Sequence, residues 1–306
     1  MSSPAPFRSG YIAVVGKPNV GKSTLINALL GQKVAAVSPR PQTTRRRQLG
    51  ILSLPQAQAV FVDTPGIHKP VHKLGEFMNN VAAATLEDAD IILWMVDVSS
   101  PPTPEDQLAA ERLSAIQNPP PVILALNKVD LVEPEVLARN TAVYQTLFPA
   151  VKTTLPMSAT TGYNRKELLE LLLKNLPEGV SFFDEEQVTD FYEREIAADL
   201  IREAALHYLR EEIPHAIAVR IDEYKERDEE NAFIAATLMV EKESHKGIVI
   251  GKDGAMLKKI GTSARVEIER MSGRKVFLEL RVKVNKNWRN DPNALRWLGY
   301  SLNHET

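Results

Sequence analysis

The 306-residue chain contains no cysteine, so disulfides and thiolate metal centres are excluded. It has no apolar run of the roughly 18–20 residues that a membrane-spanning helix requires. The opening segment, Met1 to Ser9, is short and polar and lacks the apolar centre of a secretory signal, so export is not expected. No internal repeat or low-complexity tract is visible, which argues against a repeat architecture. A cytoplasmic protein fits these absences.

With 44% hydrophobic, 25% charged and 6% aromatic residues, the composition is that of an ordinary globular protein. Its length points to two compact units of roughly 100–200 residues each. The net charge of −2 conceals two opposed blocks: 181–230 carries 16 Asp+Glu against 6 Lys+Arg, and 246–289 carries 12 Lys+Arg against 4 Asp+Glu. The basic block is a candidate polyanion surface, with a solvated face as the plain alternative.

In the first half, short apolar strands (YIAVVG, AVFVDTPG, DIILWMVDV, PVILALNKVD, TLPMSA) alternate with helical stretches, which predicts a mainly parallel sheet covered by helices on both faces. RQLGILSL and QAVFVD, joined by a short Pro-containing turn, predict one antiparallel hairpin and hence a mixed sheet. A helix from about Asn164 stops at Pro177 and Gly179, which sets the domains at 1–180 and 181–306. Beyond it, a helix and two strands precede HKGIVIGKDG, a helix from about Ala255 to Met271, the strand KVFLELRVKV and a last helix.

Gly16-Lys17-Pro18-Asn19-Val20-Gly21-Lys22-Ser23 matches the phosphate-binding pattern G-x-x-x-x-G-K-[ST] and lies between a predicted strand and a predicted helix. The glycines let backbone N–H groups wrap phosphate oxygens. Lys22 is expected to reach the β- and γ-phosphates, and Ser23 offers a hydroxyl to magnesium; Thr24 closes the contact set. Asp63-Thr64-Pro65-Gly66 ends a strand, with Asp63 expected near the magnesium and the Gly66 N–H near a γ-phosphate. Asn127-Lys128-Val129-Asp130 resembles the N-K-x-D element by which GTPases select guanine: Asp130 can accept from guanine N1 and N2, whereas adenine would leave its carboxylate unpaired. Ser158-Ala159 resembles the loop that backs the guanine O6.

In this order the four elements resemble the translation-factor-related class of GTPases. Pro41-Gln42-Thr43-Thr44-Arg45 resembles the first switch of the bacterial Era family of ribosome-associated GTPases. The resemblance implies that one of the paired threonines closes over magnesium and the γ-phosphate; Thr44 is chosen and Thr43 left open, giving Ser23, Thr44 and Asp63 as the metal set and Lys22, Thr44 and Gly66 as the groups acting on hydrolysis. Arg45 to Arg47 are read as a solvated basic edge, with a catalytic arginine run as the alternative. Ile67 stands where Ras-like proteins carry a water-orienting glutamine, so that device is absent; His68 and His72 are read as solvent-exposed bystanders. Positioning and charge stabilisation alone would sustain a slow intrinsic turnover. Asn19 resembles the position that holds potassium in potassium-stimulated relatives, with a turn-stabilising role as the alternative.

Ile250-Gly251-Lys252-Asp253-Gly254, in the most basic stretch, resembles the KH RNA-binding module, which clamps about four nucleotides along a G-x-x-G loop. Lys252, Lys258, Lys259 and Arg265 would neutralise phosphates, and Ile248, Val249 and Ile250 would contact bases. The whole then reads as an α/β P-loop GTPase domain with a mixed, mainly parallel sheet followed by a smaller α+β KH domain of prokaryotic arrangement. The Era resemblance runs from Gly10 to Leu298-Gly299-Tyr300. It implies GTP/GDP and magnesium as cofactors, and a role in maturing the small ribosomal subunit by binding the 3′ end of its ribosomal RNA. A monomer is expected, with weak peripheral membrane association left open; the acidic stretch is expected to face solvent or the GTPase domain. Two other classes compete: a GTPase of cell-cycle or membrane processes whose second domain binds protein, and a P-loop kinase, against which the guanine element speaks.

Overall fold

The computed structural model describes residues 6–300 except 39 and 41, so the first five residues of the opening segment and Pro41 of the first switch lie outside the described residues. The apolar runs of the first half become strands β1 (Arg8–Val15), β2 (Gln48–Leu54), β3 (Ala57–Asp63), β4 (Ile91–Asp97), β5 (Val122–Asn127) and β6 (Thr153–Pro156). They form one sheet in the order β2-β3-β1-β4-β5-β6. β1 pairs in parallel with β3 and β4, β4 with β5 and β5 with β6, while β2 and β3 form the expected antiparallel hairpin.

Because successive strand side chains point to opposite faces, the sheet buries two cores. Val14, Phe61 and Leu93 pack with Leu25 of α1 (Lys22–Leu30) and with Leu168 and Leu172 of α5 (Arg165–Asn175). Val15, Trp94 and Leu124 pack with Leu86 of α2 (Lys73–Glu87), Leu113 of α3 (Pro104–Ser114) and Tyr144 of α4 (Pro134–Leu147). The parallel register sets Val14 opposite Asp63 and Asp97 opposite Asn127. The carboxyl ends of β1, β3, β4 and β5 therefore lie on one edge, where open α/β sheets bind their ligands.

Contacts carry this first unit on to Asp190, ten residues beyond the break read from Pro177 and Gly179. Ile51 N donates to Val188 O at 2.9 Å and Leu49 N to Asp190 Oδ1 at 2.9 Å, so the segment lines the outer edge of β2. Such edge pairing protects exposed backbone groups and leaves no mark in local composition.

The second unit comprises 191–300 with the segments 36–43 and 70–77. It follows the expected order: α6 (Glu193–Tyr208), β7 (Ala218–Glu226), β8 (Asn231–Val240), α7 (Glu243–Ile250), α8 (Ala255–Ser272), β9 (Lys275–Val284) and α9 (Pro292–Trp297). β8 pairs antiparallel with β7 and parallel with β9. Ile201 and Ala205 of α6 and Ile260 and Ala264 of α8 bury against Ile234 and Leu238 of β8. The two charge blocks partly neutralise one another here, because Arg274 bridges Glu193 at 3.1 Å and Glu226 at 3.3 Å. Part of the acidic stretch thus has a partner while still facing solvent, as the exposed Glu226 does. Among the described residues no helix is long and apolar enough to cross a membrane.

Candidate functional site

The phosphate loop leaves β1 at Gly16 and enters α1 at Lys22. Gly16 (φ 149°) and Gly21 (φ 104°) take backbone conformations that disfavour any side chain, and one at Gly21 would collide with Asn127 Nδ2. Asn19 also turns left-handed, at φ 64°, a conformation that Asn adopts more readily than most residues. Val20 is fully buried in the core, so its side chain cannot meet a ligand. Lys22 Nζ donates to the carbonyls of Gly16 (3.1 Å) and Lys17 (3.0 Å). Burial pushes its ammonium down to about 8, against the opposing pull of Asp63.

Three oxygens converge beside it. Ser23 Oγ donates to Asp63 Oδ2 at 2.7 Å, Thr44 Oγ1 donates to the same oxygen at 3.0 Å, and Ser23 Oγ lies 3.2 Å from Thr44 Oγ1. Two hydroxyls and a carboxylate are the hard oxygen donors that magnesium prefers, so the residues present fit the ion. The hydroxyl of Thr43 instead donates to Arg40 O at 2.8 Å. Thr64 is buried with its hydroxyl on Val14 O at 2.8 Å, and Gly66 packs so tightly on Pro18 that a Cβ would lie 2.6 Å from Pro18 N.

Several expectations change. Arg45 is 3% exposed and is not part of a solvated edge; Arg47 is exposed. Ile67 is fully buried in the core, which explains an apolar residue where Ras-like proteins carry glutamine. His68 is half-buried rather than a solvent-exposed bystander, with Nδ1 2.8 Å from Gly66 O.

The Asn127–Asp130 segment begins at the end of β5. Asn127 ties three loops together: its Nδ2 donates to Val20 O at 2.6 Å and its Oδ1 accepts from Ala159 N at 2.8 Å. Lys128, at φ 70°, reaches Asp97 Oδ2 at 2.6 Å. Ser158 is buried and its Oγ accepts from Thr161 N at 3.1 Å, bracing its loop, while Asp130 is exposed and able to accept from a base.

In the second unit Gly251 (φ 74°), Asp253 (φ 51°) and Gly254 (φ 77°) turn the chain sharply between α7 and α8. Lys252 and Asp253 are exposed, as is Ile248, at 51%. Val249 is 0% exposed and belongs to the hydrophobic core, so it cannot present its side chain to a base; the helical period that turns Ile248 outward turns Val249 in. Beside the turn, Leu257, Lys258, Thr262 and Arg265 of α8 and Phe277 and Leu280 of β9 line a groove of about 320 Å³. Lys259 is exposed but does not line it, being about 100° round the helix from Lys258. Sequence reasoning missed Leu257, Thr262, Phe277 and Leu280, although α8's period could have found Thr262, one turn beyond Lys258.

A family model described as a 50S ribosome-binding GTPase matches residues 11–128, and a KH-domain model matches 212–289. The chain is 46% identical over 297 residues to GTPase Era of Geobacter metallireducens, covering 97% of this chain and 99% of that one. It is likewise 46% identical over 295 residues to GTPase Era of Leuconostoc citreum, covering 96% and 97%. A crystal structure of Era in complex with MgGDPNP and nucleotides 1506–1542 of 16S ribosomal RNA is similar, with a TM-score of 0.91, 42% identity and coverage of 97% of this chain and 100% of that one. The same values hold for an Aquifex aeolicus Era variant bound to GDP·AlF4−.

Proposed function

The chain belongs to the Era family and is a GTPase, and on that premise we propose that it binds the 3′ end of small-subunit ribosomal RNA and assists maturation of the small ribosomal subunit. The observation that carries this reading is the groove beside the Gly251–Gly254 turn. Two cations, Lys258 and Arg265, stand there beside apolar Leu257, Phe277 and Leu280, a surface suited to phosphates on one side and unstacked bases on the other. The Era structure with a 16S rRNA segment supports the choice of RNA. The protein is read as a cytoplasmic monomer.

In the first unit the phosphate-loop N–H groups and Lys22 bind and orient the β- and γ-phosphates, and Ser23, Thr44 and Asp63 would hold magnesium. Bound there, the ion would neutralise charge developing on the phosphate oxygens. The proximity of Thr44 to Ser23 and Asp63 favours it over Thr43 for that role. Gly66 offers its N–H to the γ-phosphate end of the site, and Asp130 selects guanine. With Ile67 in the glutamine position, no side chain there orients the attacking water, which suits a slow, timed switch.

Phosphate release tests the nucleotide half. Lys22→Ala and Ser23→Ala should each lower GTP turnover at least about tenfold with circular dichroism unchanged. Normal turnover in both would remove the site. Filter binding of labelled 16S rRNA 3′-end RNA in GTP and in GDP tests the other half, and no binding in either state would sink the RNA assignment.

A further inference from the structure

Asp106, in the first turn of α3, is fully buried and 89 residues from the phosphate loop, yet its Oδ2 accepts from Lys17 Nζ at 2.8 Å. The same oxygen accepts from Thr103 N at 2.8 Å and Thr103 Oγ1 at 2.9 Å, and Tyr144 OH lies 3.4 Å away. Lys17, second residue of the phosphate loop, therefore directs its ammonium away from the loop into the protein, where its side chain is 13% exposed. Its carbonyl faces the other way and accepts from Lys22 Nζ at 3.0 Å. From Tyr144 the contacts continue, since its hydroxyl donates to Asp97 O at 3.1 Å and the Asp97 carboxylate pairs with Lys128 of the guanine element at 2.6 Å.

We propose that Asp106 is a positioning residue for nucleotide binding: by gripping Lys17 it fixes one of the two carbonyls that orient Lys22, and through Tyr144 and Asp97 it ties the phosphate loop to the guanine-selecting loop. The inference rests on the nucleotide reading given above. The ordinary role of an acidic residue at this helix position, capping α3 through Thr103, does not involve Lys17. A buried carboxylate needs a compensating cation, and Lys17 is the cation within ion-pair distance of it. Pair and loop conformation are thereby linked, because the ammonium cannot leave Asp106 without stranding a charge.

Asp106→Asn keeps the shape and an oxygen that can accept from Thr103 but removes the charge that holds Lys17. Lys17→Met removes the other partner, and the double variant removes both charges and should fold well, since neutral replacements of a buried pair are tolerated. Affinity for a fluorescent GDP in magnesium, measured with thermal stability, separates the possibilities. Each single substitution should weaken binding about tenfold. The double variant should be no weaker than either single one while its Tm returns toward wild type. Wild-type affinity in Asp106→Asn, recovery of affinity together with Tm in the double variant, or multiplied losses in the double variant would each overturn the proposal. If Asp106→Asn proves too unstable to assay, the double variant decides. Failure of the unaltered protein to bind GDP would instead overturn the nucleotide reading itself.

Discussion

At the scale of single residues, the motif-bearing side chains carry both selectivity and a share of stability. Asp130 is exposed at the end of the Asn127–Asp130 segment, so its exchange should have little effect on packing. Asp130→Asn would strand the guanine N1 and N2 donors and offer an amide to a C2 oxygen, so GTP affinity should fall about tenfold or more and preference move to xanthosine triphosphate. Retained GTP preference in a competition assay would refute the guanine-selector role. Asp97 shows how such a site also titrates. Burial pushes its carboxyl up, but hydrogen bonds from Lys128 and Ser99 outweigh burial and hold it below the usual carboxylate range. A folded-state pKa below the unfolded one contributes stability that is present above about pH 4 and lost as pH falls through the folded value. Asp97→Asn should therefore cost about 1 kcal/mol at pH 7, a modest figure for a partly exposed pair, and the deficit should shrink at an acid pH below the usual carboxylate range. Urea unfolding at both pH values checks it, and a deficit independent of pH would contradict the ion-pair account.

At the scale of elements, legibility followed the range of the interactions. The strands, the β2–β3 hairpin and α8 could be read because periodicity and turn residues are local, and the phosphate loop because its glycines are obligatory for its shape. What could not be read depends on neighbours distant in sequence. The pairing of 188–190 with β2, the burial of Arg45 and the grip of Asp106 on Lys17 have no local signature beyond the Thr103-x-x-Asp106 capping pattern. Val249 is buried where Ile248 is exposed because adjacent helical residues point to different sides, which an apolar run alone does not reveal. The G-x-x-G turn makes a testable contrast between its two glycines. Both have φ beyond 70°, which costs an alanine about 1 kcal/mol. At Gly251 a Cβ would also meet Met256 N at 2.8 Å, backbone that cannot swing aside, whereas at Gly254 nothing lies within 4 Å. Gly251→Ala should thus cost about 2–3 kcal/mol and Gly254→Ala about 1 kcal/mol in thermal unfolding. Equal losses would mean that the turn relaxes freely.

At the scale of the whole molecule, the chain separates two chemistries. Phosphate and guanine motifs fall in the first unit and the G-x-x-G turn with its groove in the second, so RNA affinity should be removable without touching GTP binding. Charge supports the separation: the net of −2 is near zero, yet Lys252, Lys258 and Arg265 collect at the turn and groove, while Arg274, from the same basic block, is already neutralised by Glu193 and Glu226. Binding by a few such cations releases counterions, so affinity for 16S rRNA 3′-end RNA should fall steeply as salt rises. The cleanest lesion is Gly254→Asp. The position has open space and a left-handed backbone that Asp tolerates better than most residues, so the fold should survive, while the new carboxylate stands where phosphates would approach. Gly251→Asp adds the clash with Met256 and would confound lost binding with lost stability. Gly254→Asp should therefore weaken RNA binding at least about tenfold at low salt with GDP affinity and Tm close to wild type, and the deficit should narrow as salt screens the repulsion. If Gly254→Asp bound the RNA like wild type at low salt, phosphates would not pass the turn, and the second unit would have to be reconsidered as a protein-binding domain.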